Sequence, residues 1–121
     1  METFSTEWPE KIIESLRQNL NRDPSLWAAF SEEFCRHCLT LIKTTNGDYS
    51  PTGLLEIAGN EVVREKKIED MEAGMSGYSE HDQSLARAAS TFFSETFKTF
   101  TNQAQSSIAL GLISVLQSTR T

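Results

Sequence analysis

The side chains best suited to chemistry stand almost side by side: Cys35, His37 and Cys38, with His81 the only other imidazole in the chain. A Cys-x-x-Cys pair can cycle between thiol and disulfide, or supply two of four zinc ligands. Either role needs thiolates that converge at a turn or helix start, and zinc needs further ligands nearby. The surrounding pattern is helical instead, with Phe34 and Leu39 on the same apolar face as the cysteines. His37 then points roughly 100° away from Cys38 around the helix axis, so the three cannot meet at one metal without distortion. The expectation is two small buried hydrophobes and a surface histidine. No cofactor is expected; were a metal or haem bound, Cys35, Cys38, His37 and His81 would be the residues to hold it.

Other reactive constellations are missing. A di-iron bundle uses Glu-x-x-His on two helices, but Phe34 and Tyr78 stand three residues before the two histidines. There is no nucleophile elbow, no zinc-protease motif and no glycine-rich phosphate loop. The carboxylates Glu56, Glu61, Glu65, Glu69, Asp70 and Glu72 are interspersed with Arg64, Lys66 and Lys67, the usual pattern of a solvated helix face. An enzyme is therefore not expected.

The elements that would position these groups are all helices, expected over 9–22, 24–44, 51–73, 80–100 and 102–118. Pro9, Pro24 and Pro51 each stand where a first helical residue belongs, and Asp23 offers an N-cap. Ile12, Ile13, Leu16 and Leu20 make one stripe with Trp8. Trp27, Phe30, Phe34, Cys38, Leu41 and Ile42, widened by Leu26, Cys35 and Leu39, make the second helix the most buried. Leu54, Leu55, Ala58, Val62, Ile68, Met71 and Met75 carry the third, whose latter half is expected partly in solvent. Ser79 and Asp82 resemble a capping box.

From there the apolar spacing continues through Leu85, Phe92, Phe97, Ile108 and Leu116 without a proline. One unbroken helix would be about 58 Å long, against a radius of gyration of about 14 Å for a domain of this length. A kink or break near Thr99–Asn102 is expected, with Thr101 or Asn102 capping the last helix. The fold class is all-α: a four- to five-helix bundle in a single domain over 1–121, with a long or kinked C-terminal helix.

The totals agree with that class. The chain has 121 residues, 38% hydrophobic and 23% charged, enough for one core and too few for two. Seventeen acidic against eleven basic side chains give a net charge of −6, which disfavours nucleic acid. No apolar run is long enough for a membrane span, and the first residues lack a secretory layout, so a cytoplasmic location is expected.

After Glu95 only Lys98 and Arg120 are charged, and small residues alternate with Ile, Leu and Val. Such a helix fits between neighbours, within the bundle or across a dimer. Phe92 and Phe93 diverge by about 100°, so one is expected to serve a second interface. The functional expectation is a non-catalytic protein-interaction module: a small helical adaptor, regulator, inhibitor or assembly factor, as a homodimer. Phe93, Phe97, Ile108, Leu112 and Leu116 are the candidate partner-binding residues. The alternative is a metal- or cofactor-binding sensor or carrier built on the Cys35/His37/Cys38 region.

Overall fold

The computed structural model describes residues 8–22, 28–46 and 51–118, in which six α-helices and no strand occur. They are α1 (Trp8–Arg22), α2 (Ala28–Asn46), α3 (Pro51–Gly59), α4 (Glu61–Gly74), α5 (Glu80–Thr91) and α6 (Asn102–Ser118). Asp23, Pro24, Leu26 and Trp27, expected around the start of the second helix, lie outside the described residues. Among the described residues no helix is long and apolar enough to cross a membrane.

Helix α2 touches all five others, because its apolar positions surround most of its circumference. Phe34, Cys35, Cys38, Leu39, Leu41 and Ile42 are all buried. On one side α1 presents Ile12, Ile13 and Leu16 to the core. Its exposed Arg17 forks onto Glu32 of α2, with Nε–Oε1 at 2.8 Å and Nη2–Oε2 at 3.0 Å. Arg36 also reaches Glu32, at 3.3 Å. These two guanidinium groups hold the Glu32 carboxyl below its ordinary range, Arg17 contributing most.

The helix expected over 51–73 is two helices, and this raises the count from five to six. Asn60 adopts an extended conformation (φ −133°, ψ 106°) and its side chain accepts from the Val63 N–H at 3.2 Å. It thus caps α4 just as Gly59 ends α3. The break changes which residues face inward. Val62, expected in the stripe, is 77% exposed, whereas Arg64, expected on the solvated face, is 7% exposed.

A shorter correction applies to α5. Ser79 caps it, accepting from the Asp82 N–H at 3.1 Å. Its buried face, however, is Ala86 and Ala89, and Leu85 is exposed. Small residues there let α5 lie close to α2.

The continuation of α5 is a π turn, Phe92–Thr96, followed by a 3₁₀ turn, Phe97–Thr99. The Phe97 N–H reaches back to the Phe92 carbonyl, an i→i+5 bond that turns the chain less per residue than an α-helix does. Phe92 and Phe93 therefore both point inward, contrary to the divergence expected from α-helical spacing. Phe100 then turns extended, and Thr101 caps α6 by accepting from the Ala104 N–H at 3.1 Å. The break thus falls within the expected interval, at the residue expected to cap.

Helix α6 lies inside the bundle against α1, α2 and α3. One contact is very close: the Ser31 hydroxyl donates to the Ile108 carbonyl at 3.0 Å. A Cβ added at Gly111 would stand 2.6 Å from that same Ser31 oxygen. Gly111→Ala is expected to destabilise the protein by about 1–2 kcal/mol, because the serine must shift and loosen its bond. In a Ser31→Ala background the same change is expected to be neutral or stabilising, since alanine favours a helix by about 1 kcal/mol over glycine. Urea unfolding of the four proteins in this cycle checks the reversal of sign.

Candidate functional site

Cys35 and Cys38 are both free and fully buried. Burial pushes the Cys35 thiol up to about 12 and the Cys38 thiol well above its ordinary value. Neither offers a thiolate near neutral pH, so both pack as small apolar groups. Among the described residues no three His, Cys, Asp or Glu side chains converge as a metal site requires. His81 is exposed in the first turn of α5.

His37 departs from the expectation of a surface side chain. Its ring stacks on Phe92, centroids 4.6 Å apart, and meets Phe93 edge-on. Burial lowers its pKa to about 4. The Glu33 carboxylate is 3.9 Å away and half exposed, too distant and too well solvated to offset that cost. His37 is neutral at pH 7.

The five candidate partner-binding residues divide into two groups. Ile108 and Leu112 are fully buried and Leu116 almost so. Their surface is spent against the other helices of the same chain, and Leu112→Asp would disrupt this core before it could split a dimer. Phe93 and Phe97 are also largely buried, but both reach the floor of an open trough.

The trough encloses about 550 Å³ between α4 and the segment joining α5 to α6. Its first wall is the α4 face bearing Glu61, Glu65, Glu69 and Glu72. Ser94, Lys98 and Asn102 form the opposite wall. Between them lie Ile68 and Phe100, both half buried, over Phe93 and Phe97. A second depression of about 330 Å³ continues between α3, α4 and α6, past Ala109, Leu110 and Ile113. Glu61, Arg64, Asn102 and Gln105 line both, so the two make one channel along the surface. Leu110 stands at its far end, 58% exposed.

Two residues that the pattern of apolar and polar positions did not single out hold this channel in shape. Arg64 donates from Nη1 to the carbonyls of Ile57 at 3.0 Å and Ala58 at 3.3 Å. Its guanidinium carbon also lies 5.4 Å from the ring centroids of both Phe34 and Phe97. It therefore closes the end of α3 and packs beside the Phe34 and Phe97 rings, which stack on each other with centroids 5.0 Å apart. Gln105 does the same for the other wall, donating from Nε2 to Phe97 O at 3.0 Å and Phe100 O at 3.1 Å.

Among the described residues the carboxylates of the first wall form no ion pair, although Lys66 lies near enough to Glu69 to feel its charge. The ion pairs among the described residues include Arg17–Glu32, Arg36–Glu32, Lys43–Asp82 and Lys66–Asp70. None involves Glu61, Glu65, Glu69 or Glu72. Only Glu72 has a partner, accepting from the Ser90 hydroxyl at 2.5 Å. Of the interspersed bases expected to balance this face, Arg64 is diverted into the core and Lys66 to Asp70.

Comparison of the chain with protein-family models, with curated proteins and with solved structures finds no match.

Proposed function

We propose that this chain is a non-catalytic protein-interaction module, a small helical adaptor, regulator, inhibitor or assembly factor, and that it binds its partner along the α4–α6 channel. The observation that carries this reading is the channel itself: two connected depressions with half-buried apolar side chains between polar walls. A rim of charge around an apolar centre is how protein interfaces are organised. Exposed Leu110 extends that apolar surface at one end, where an isolated pocket for a small molecule would be closed. The groups on which a metal- or cofactor-binding reading would rest give it less support, because both thiols are protonated in the core and His81 stands exposed at the start of α5.

Photo-crosslinking side chains introduced at Ser94 and Leu110 test the reading in the cells that make the protein. Both are expected to give discrete adducts with another polypeptide, whereas the same group at Gln18, exposed on α1, gives none. Equal labelling from all three positions, or none from the two channel positions, would overturn it.

A further inference from the structure

We infer that the occupant of the channel is a cationic amphipathic helix of another protein, with lysines or arginines aligned on the α4 carboxylates and apolar side chains over Ile68, Phe100 and Leu110. The inference rests on the interaction reading above and names the chemistry of the partner. Glu61, Glu65 and Glu69 recur every fourth residue, so their carboxylates step along the wall by about 6 Å each time. That is the spacing at which a second helix lying alongside presents basic residues placed every fourth position.

None of the three forms an ion pair among the described residues, and Lys98 stands on the other wall. In the second depression, which shares Glu61 with the first, α6 contributes uncharged Asn102, Gln105, Ala109, Leu110 and Ile113. The α4 side of the channel is thus anionic and the other side, apart from Lys98, apolar or neutral, which matches a helix with adjacent basic and apolar faces. A second copy fits less well, since it brings a net charge of −6 to the same carboxylates.

The test is selection from a phage-displayed library of random peptides, each about 15 residues long and so able to form four helical turns, against the whole protein. Enriched sequences are expected to combine Lys or Arg with apolar residues at spacings of three and four. Their synthetic forms should bind about tenfold more weakly to the combined Glu61→Gln, Glu65→Gln, Glu69→Gln variant, and more weakly in high salt. The combined Glu10→Gln, Glu14→Gln variant, altered on the exposed face of α1, should bind them unchanged.

Enriched peptides without basic excess, held equally by the triple variant but lost in Leu110→Ser, would overturn the charge assignment and leave the channel as a docking site. No enrichment, or binding unaffected by changes in either wall, would overturn both readings. A concentration-dependent dimer in sedimentation, dissociated by Leu110→Asp, would put a second copy in the channel and overturn the inference.

Discussion

Lowering the pH from 7 to 5 is expected to remove about 2 kcal/mol of folding stability through His37 alone. In the folded chain this imidazole is packed on Phe92 and its pKa is lowered to about 4. The unfolded chain exposes it with its ordinary value of 6.5. Between these two values the unfolded state binds more protons than the folded state, so stability rises with pH across that window. It is fully present above 6.5 and is lost as the pH falls toward 4.

The carboxylates act lower down. Glu32 has a folded pKa depressed below 4.5, so its contribution is intact at pH 5 to 7 and disappears only on further acidification. His37→Phe keeps a ring against Phe92 and removes the titration. Urea midpoints at pH 7 and pH 5 should therefore differ strongly for the parent and little for this variant. His81→Gln, at an exposed position, should keep the parental loss. Equal losses in the parent and in His37→Phe would show that the ring is solvated enough to be protonated in place.

His37 also marks where sequence patterning stops being informative. Helical periodicity put it away from Cys38, which is where it lies, but whether that side is solvent or protein depends on what α5 brings there. The π turn decides the matter. It retards the rotation of the chain after Thr91, so that Phe92 meets His37 while Phe93 meets Phe34, centroids 6.1 Å apart. Nothing in a local string of Phe, Ser, Glu and Thr announces a π turn.

The break before α6 was legible for the opposite reason, because two independent constraints agreed. A helix from Ser79 to Ser118 is too long for the domain, and Thr101 is a capping residue at the right place. Gly59-Asn60 carries a similar local signal, a glycine at a helix end followed by an N-cap residue. The apolar spacing that runs through Ala58 and Val62 masks it. The low charge of the last helix was correctly read as a sign of burial between neighbours. Those neighbours are α1, α2 and α3 of the same chain, and against them Ile108, Leu112 and Leu116 are buried.

Arg64 was hidden most completely, and its replacement is expected to have the largest effect on the fold. A basic residue between Val63 and Glu65 reads as polar and exposed. Yet the side chain is long enough to pass its apolar stem through the core and deliver its charge to two main-chain carbonyls. Arg64→Ala removes the donors to Ile57 and Ala58, the cation beside the stacked Phe34 and Phe97 rings, and the volume of a buried side chain. Together these are worth about 3–4 kcal/mol.

Arg64→Lys is expected to cost about 2 kcal/mol, although it keeps the charge, because a compact ammonium cannot keep the guanidinium's contact with both rings while serving two carbonyls. If charge alone mattered, lysine would restore full stability in urea unfolding. If volume alone mattered, Arg64→Met would do so, leaving the carbonyls bare. The geometry requires both variants to fall short. The amides of α3's last turn and of Asn60 should exchange faster with solvent in each, since Arg64 is what joins the end of α3 to the start of α4. That junction sets the angle of the carboxylate wall, so the same variants should weaken binding in the channel without touching any of its glutamates.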